Sequence, residues 1–155
     1  MTSTERSLAE RIDELESRAA IADLVAGYCE GVDRQNLERF LSLWHEDAAY
    51  LIPGGRGDFV GLAEIQRSQD VIAKAWKQTY HWTTNHTIRF ETADRATGRS
   101  DVYAMCTPHD GGVSLVGGTY EDVYERRDGT WKYAKRLVNR WFVSAPVDIK
   151  LLPPY

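Results

Sequence analysis

The sequence predicts an α+β fold in which three N-terminal helices pack on one face of a strongly curved, mostly antiparallel sheet. Apolar residues recur at helical spacing in the first half of the 155-residue chain. From residue 81 onward apolar and polar residues alternate as they do in strands, and turn signals separate four long runs. Helices followed by consecutive strands are typical of α+β proteins, and this length suits a single domain, 1–155.

The three helices come first. Residues 8–32 form a long amphipathic pattern after an N-terminal stretch, 1–7, that we expect to be flexible. A second, shorter helix is expected within 32–47, with Trp44 in its apolar stripe, and a third within 61–78. In the first helix the apolar positions are Leu8, Ile12, Leu15, Ala19, Leu24 and Tyr28.

The strands follow from other signals. Between the second and third helices, Pro53 and a Gly-Gly pair interrupt a short strand. Later, Asp128-Gly129 predicts a tight hairpin, and Gly117-Gly118 within a long strand predicts a bulge or sharp bend. The four long strands are expected within 81–93, 100–108, 112–127 and 130–143.

Composition excludes some classes of function. The net charge is −4 and the sequence pI about 5.6, whereas nucleic-acid-binding domains are usually basic. The longest apolar runs are too short to cross a bilayer, and the polar start lacks the features of a signal peptide. We therefore expect a cytoplasmic protein that binds neither nucleic acid nor membrane. Cys29 and Cys106 have no metal or disulfide spacing and are expected to be reduced.

Three stretches carry a resemblance to a known family. "YCEGVD" ends the first helix, "YHWTTNH" opens the long sheet, and "YERRDGTWKYAKR" precedes its end. In this order they resemble the SnoaL-like branch of the NTF2-like superfamily over nearly the whole chain. Within it the sequence is similar to the hexachlorocyclohexane dehydrochlorinases, the bile-acid 7α-dehydratases and, more remotely, the scytalone dehydratases. The resemblance implies a cone-shaped fold and a cofactor-independent lyase.

The resemblance also implies roles for individual residues. Asp33 and His81 match the catalytic Asp-His dyad of these enzymes. Tyr28 matches a tyrosine of the bile-acid dehydratases, where the dehydrochlorinases have lysine, and this favours a dehydratase or a related lyase. Arg136 matches the catalytic arginine of the dehydrochlorinases, and Arg140 matches an arginine of the bile-acid dehydratases.

The residue types suit elimination chemistry. Removing a proton from carbon needs a base, and the unperturbed pKa of histidine lies near neutral pH. A carboxylate on one ring nitrogen of His81 would fix its tautomer and direct the other nitrogen. Asp33 has a second interpretation, because either it or Asn36 could cap the second helix. Tyr28 could likewise be a plain core residue, or it could donate a hydrogen bond to a carbonyl or a departing hydroxyl.

Other side chains are candidates for binding a largely apolar, cyclic substrate inside the cone. His86 has the parity opposite to His81, so we expect it to be a packed histidine or a secondary pocket group unless a bulge intervenes. On the last strand Arg136 and Arg140 share a face with apolar residues, and Arg136 is the first choice to line the cavity. The remaining candidates for the cavity wall are Tyr50, Trp44, Trp76, Trp82 and Phe142.

The sequence also leads to expectations about metal binding, oligomeric state and alternative functions. The sequence indicates no metal site, since no group of His, Cys and carboxylate residues has ligand spacing. Related enzymes suggest a homo-oligomer, a trimer rather than a dimer, and the Pro-rich tail 143–155 could cover the pocket or a neighbouring subunit. An isomerase or polyketide cyclase would use the same base. A non-catalytic accessory subunit, resembling the β-subunit of ring-hydroxylating dioxygenases, would have no need of an oriented imidazole.

Overall fold

A computed structural model describes residues 6–149 and has the predicted α+β architecture. Three helices lie against a curved six-stranded sheet of order β2-β1-β6-β5-β4-β3. Neighbouring strands are antiparallel except β1 and β6, which are parallel. The elements are α1 (Leu8–Asp33), α2 (Leu37–Ser42), β1 (Trp44–Ile52), β2 (Gly57–Val60), α3 (Leu62–Ala75), β3 (Gln78–Thr92), β4 (Arg95–Thr107), β5 (Ser114–Arg127) and β6 (Thr130–Val143).

Helix α1 begins at a capping box, in which the side chains of Ser7 and Glu10 each bind the other's backbone N–H. Its predicted apolar stripe is wrong in the first half. Leu8 and Leu15 are 69% and 66% exposed, whereas Leu24 is buried. Leu15 and Leu24 are nine residues apart. That spacing is about two and a half helical turns, so the two side chains lie on opposite faces. The face toward the sheet begins at Ser17 and continues through Ile21, Leu24 and Tyr28.

The second predicted helix is shorter than expected. Helix α2 ends at Ser42, and from Trp44 the chain forms β1. The backbone N–H of Tyr133 on β6 donates to the carbonyl of Leu43, and β1 then pairs with β6 in parallel. This pairing overrides the helical spacing that placed Trp44 in a helix.

The hairpin between β5 and β6 has the predicted tight turn. Asp128 and Gly129 have φ of 50° and 75°, and Arg127 pairs with Thr130 across them. The strand predicted within 100–108 begins earlier than expected, since β4 already starts at Arg95. Pairing with both β3 and β5 holds this segment extended.

Extra residues interrupt three of the strand pairings and change which side chains point inward. Asn85 has φ of 54° where the β3–β4 register shifts. The β5–β6 register shifts at Ala134 and again opposite the Gly117-Gly118 pair, where Trp141 is the extra residue. The predicted irregularity at Gly117-Gly118 is therefore confirmed. Each bulge reverses the alternation of faces along its strand.

The core lies between the concave face of the sheet and the helices. Aromatic side chains dominate it, and Tyr28 of α1 contacts the rings of Phe40, Trp44, Tyr50 and Tyr120. Among residues 6–149 no helix has the length and hydropathy needed to span a membrane.

The last described residues pack against the turn that precedes β5. Val147 forms an antiparallel bridge with Val113. Residues 150–155 of the predicted tail and 1–5 of the predicted flexible start lie outside the described residues. The proposal that the tail covers the pocket or another subunit stays a prediction.

Candidate active site

Asp33 and His81 form a hydrogen-bonded pair, although they are 48 residues apart in the sequence. The Nδ1–H of His81 donates to Oδ1 of Asp33 at 2.6 Å, and the backbone N–H of His81 donates to Oδ2 at 2.7 Å. The hydroxyl of Thr79 donates to Oδ1 at 2.8 Å. Only 11% of the His81 side chain and 17% of the Asp33 side chain are exposed. Three donors from β3 thus fix the carboxylate, and Nε2 of His81 is left for other partners.

The carboxylate is available for β3 because another residue caps α2. The side-chain oxygen of Asn36 accepts the backbone N–H of Arg39 at 3.0 Å. Asp33 is the last residue of α1, and its oxygens face Thr79 and His81. The capping alternative for Asp33 therefore has no support in the structure.

His81 faces a cavity of about 110 Å³ between the sheet and α1 and α3. The cavity has polar groups at its sides and apolar side chains elsewhere. A second cavity, of about 180 Å³, lies behind a shared wall of Val32, Ile72, Trp76 and Thr79. The first cavity is lined by Tyr28, Val32, Tyr50, Ile52, Ile72, Trp76, Thr79, His81, Val102, Ala104, Cys106, Val116, Tyr120, Val138 and Arg140.

Two tyrosines place hydroxyl groups at the cavity. The hydroxyls of Tyr28 and Tyr50 share a hydrogen bond of 2.8 Å. Burial raises the pKa of both phenols well above the usual value, so both are neutral at physiological pH. One hydrogen bond uses one of their two O–H protons, which leaves the other as a donor. The ring of Tyr28 also lies edge-on to the imidazole of His81, with centroids 6.2 Å apart.

Arg136 lies beneath these tyrosines, outside the set of residues that line the cavity. Its side chain is fully buried, and Nε and Nη2 donate to the two oxygens of Asp122 at 2.8 and 2.7 Å. Its guanidinium carbon is 4.2 Å from the ring centroid of Tyr28 and 4.1 Å from that of Tyr120. Arg136 can therefore act on a substrate only through these rings, or after a movement that exposes it.

Arg140 is the arginine that reaches the cavity wall. Its Nη2 atom is buried and has no hydrogen-bond partner among the described residues. Between residues 6 and 149, no group of three His, Cys, Asp or Glu side chains could hold a metal ion. The polar groups around the cavity thus include an imidazole, phenols and a guanidinium.

The comparison with known families agrees with this architecture. A family described as SnoaL-like domain matches residues 13–137, which is more than half of the chain. The chain belongs to the SnoaL-like family.

Relatives of this SnoaL-like domain include characterised enzymes. It is 36% identical over 145 residues to hexachlorocyclohexane dehydrochlorinase 1 of Sphingobium indicum, a match that covers 92% of this chain and 94% of that protein. The crystal structure of the type 3 hexachlorocyclohexane dehydrochlorinase of Novosphingobium barchaimii superposes with a TM-score of 0.85 at 31% identity, covering 93% and 99% of the two chains. A scytalone-dehydratase-like protein of Novosphingobium aromaticivorans, 21% identical, has the same fold (TM-score 0.79; 93% and 96% covered).

Several residues proposed from the sequence do not reach the cavity of the SnoaL-like domain. Trp44 is a core residue, 1% exposed, that packs on Tyr133. Trp82 follows His81 directly, so it points to the outer face and is 50% exposed. Phe142 lies beyond the bulge at Trp141, which takes it out of the inward alternation, and it is 47% exposed.

His86 lies on the same side of β3 as His81, because the bulge at Asn85 reverses the alternation between them. It is half-buried, and its Nε2 is 3.3 Å from the hydroxyl oxygen of Tyr124. This contact makes it a neighbour of the buried Asp122–Arg136 pair and not a wall of the cavity. Of the two sequence-based alternatives, the packed histidine is the one that this contact supports.

Sequence reasoning missed Asp122, Tyr120 and Thr79. Asp122 alternates with Tyr120 and Tyr124 on β5, so an acid at an inward position was a visible signal for a buried pair. Thr79 precedes His81 by two residues, which places both on one face of β3. Trp76, in contrast, was among the tryptophans expected at the cavity wall, and it lines both cavities.

Proposed function

We propose that this SnoaL-like domain is a cofactor-independent lyase in which His81 removes a proton from a carbon of a small, cyclic, largely apolar substrate. The observation that carries the proposal is the Asp33–His81 pair, with Nδ1 bound to a carboxylate and the ring at the wall of a cavity. The names of its relatives, which are dehydrochlorinases, support the same reaction class.

The steps follow from general acid–base chemistry. Nε2 of His81 takes the proton, and the electrons of the broken C–H bond form a carbon–carbon double bond. The leaving group on the neighbouring carbon departs with its own electron pair. Asp33 holds the tautomer that presents a bare Nε2 and stabilises the imidazolium that forms. The proton then passes to the departed hydroxide, or is released beside a halide.

Tyr28 and Arg136 are proposed to assist the leaving group. A neutral phenol at the cavity wall can donate to a departing hydroxide or halide as negative charge develops on it. Arg136 lies against the face of the Tyr28 ring, and its charge opposes the effect of burial on the pKa of that phenol. It thereby makes Tyr28 a better donor without touching the substrate.

A second enzyme class would use the same groups. An isomerase or polyketide cyclase needs proton removal by His81 and a donor such as Tyr28, with no leaving group. The cavity and the oriented imidazole support this alternative equally. Product mass separates the two, because a lyase product has lost water or hydrogen halide.

The test is a turnover screen of cyclic β-hydroxy ketones and chlorinated cyclohexanes, followed by mass spectrometry. We expect His81→Ala and Asp33→Asn to lower kcat by about 100- to 10,000-fold, the range of general-base catalysis. The matched controls are His109→Ala and Asp23→Asn, two exposed residues outside the cavity. Full activity in either dyad variant would remove the dyad from the mechanism.

We further propose that the protein is cytoplasmic and forms a homo-oligomer, a trimer rather than a dimer. A row of aromatic side chains on the outer face of the sheet supports association. Trp82, Tyr103 and Phe142 occupy register-matched positions on β3, β4 and β6, and the ring of Phe142 lies over Gly117 of β5. Soluble monomers rarely expose contiguous apolar patches of this kind.

A further inference from the structure

We propose that the substrate is a single-ring compound with a carbonyl oxygen, and that Arg140 binds this oxygen on the wall of the cavity away from His81. The inference rests on the proposed function, since it takes His81 as the base. It differs from the chlorinated hydrocarbon named for the relatives, because hexachlorocyclohexane has no oxygen to accept a hydrogen bond.

Arg140 has a buried hydrogen-bond donor without a partner among the described residues. Its side chain lines the cavity, and its Nη2 atom is buried and finds no acceptor among the described residues. A buried donor without a partner costs free energy, and more so when it carries charge. A ligand that places an acceptor against Nη2 removes this cost, whereas a hydrocarbon leaves it in place.

Hydrogen-bond donors outnumber acceptors among the free polar groups around the cavity. The phenols of Tyr28, Tyr50 and Tyr120 stay neutral and carry three O–H donors, of which the hydrogen bonds of Tyr28 to the other two use at most two. The carboxylate of Asp33 is already occupied by three donors. The free polar groups are thus mainly donors, which suit a ligand with acceptor oxygens.

The proposed base, His81, and the donor, Arg140, lie on different strands of the cavity wall. His81 lies on β3 and Arg140 on β6, with β4 and β5 between them. These two strands contribute apolar side chains, Val102, Ala104 and Val116, to the wall between base and donor. A substrate in the cavity therefore meets His81 at one side and Arg140 at another, with an apolar ring between.

The volume of the cavity limits the size of the ligand, and the chemistry of proton removal indicates which kind of oxygen the ligand carries. An apolar cavity of roughly 150 Å³ in another protein takes up benzene, so a cavity of about 110 Å³ leaves room for no more than one ring. Histidine is a weak base, and it can remove a C–H proton readily only if the resulting charge moves onto an electronegative atom. A carbonyl conjugated with that carbon supplies such an atom, and Arg140 would stabilise the charge on it.

The test compares equilibrium binding of unreactive probes to the intact protein by calorimetry. Cyclohexanone and methylenecyclohexane have nearly the same shape and differ in an oxygen for a CH2 group. We expect cyclohexanone to bind about 10- to 100-fold more tightly, the effect of one hydrogen bond to a charged group. Arg140→Met should abolish the difference, and Arg140→Lys should retain part of it.

Controls separate this inference from the proposed function. Arg99→Met removes an exposed arginine on β4 that does not line the cavity, and it should keep the preference. Thermal unfolding verifies that each variant is folded. Equal binding of the two probes, or an unchanged preference in Arg140→Met, would overturn the inference even if His81 proves to be the base. Tighter binding of cyclohexanecarboxylate than of cyclohexanone would replace the carbonyl by a carboxylate and also overturn it. Carbonyl selectivity without any turnover would instead count against the proposed lyase.

Discussion

Arg136 carries a positive charge at the centre of the core, and its neighbours explain how the fold tolerates it. Asp122 neutralises the charge through two parallel hydrogen bonds, and the side chains of both residues are fully buried. The hydroxyl of Tyr133 accepts a further bond from Nη2, and three tyrosine rings pack on the guanidinium. Planar, bidentate pairing with stacking is a geometry that arginine provides and lysine does not.

Removing one partner of this pair should be costly. We expect Asp122→Asn to lower the free energy of unfolding by about 3–5 kcal/mol, because it leaves an uncompensated buried charge. Urea denaturation of the purified variant measures the loss. Asp47→Asn, which removes an exposed partner of Arg127, is the matched control and should have little effect. Equal losses in the two variants would contradict the buried pairing.

His86 should make the stability of the protein depend on pH. Burial lowers the pKa of His86 below its usual 6.5, an effect that the nearby Asp122 opposes and Arg136 reinforces. The native state thus binds the proton less readily than the unfolded chain does. The contribution of the neutral imidazole is present above pH 6.5 and is lost as the pH falls through the lower native pKa.

The measurement is urea denaturation at pH 7.5 and again about two units lower. We expect His86→Gln to lose less stability between the two values than the wild type loses. His109→Gln changes an exposed histidine and should follow the wild type. A steeper pH dependence in His86→Gln than in the wild type would show that the sign of the shift is wrong.

At the scale of elements, the bulge in β3 decides what the second half of that strand presents to the core. Asn85 has φ of 54°, a left-handed conformation that asparagine tolerates better than most residues. Its side chain donates to Asp101 on β4 at 2.8 Å, which holds the bulge in register. Before it His81 points inward, and after it His86, Ile88 and Phe90 do.

Substitutions at Asn85 should separate backbone strain from side-chain bonding. We expect Asn85→Val to lower the free energy of unfolding by about 1–2 kcal/mol or more, the cost of a left-handed conformation for an ordinary residue. Asn85→Gly loses the bond to Asp101 but relieves the strain, so its loss should be smaller. Thermal and urea unfolding measure both. A valine variant as stable as the glycine variant would mean that the bulge is not strained.

The bulges also limit which residues of the site can be predicted from the sequence. The Asp33–His81 pairing was predicted from the family resemblance, because the residues alone left Asp33 equally suited to capping α2. Arg136 and Arg140 were placed on one face, and the structure keeps both inward. Phe142 was lost to the bulge at Trp141, since an extra residue in one strand is set by pairing with its neighbour and not by the pattern of side chains.

At the scale of the whole molecule, the cavity depends on contacts that no local pattern contains. Its wall takes side chains from α1, α3 and five of the six strands. The fold class was predictable, because the spacing of apolar residues indicates which segments are helices and which are strands. Which of several tryptophans faces inward was not, because the curvature of the sheet and the approach of α3 decide it. Trp76 therefore lines the cavity, whereas Trp82 is exposed.

The outer face of the curved sheet should hold the subunits together. Trp82, Tyr103 and Phe142 form a row across the strands, and a charge inserted there would have to be desolvated on association. We expect Phe142→Glu to reduce the mass measured by light scattering toward that of one 17.6 kDa chain, while circular dichroism stays unchanged. Leu15→Glu places the same charge at another exposed apolar site, on α1, and should leave the assembly intact. Dissociation by Leu15→Glu but not by Phe142→Glu would move the interface to the helix, and a monomeric wild type would refute the assembly altogether.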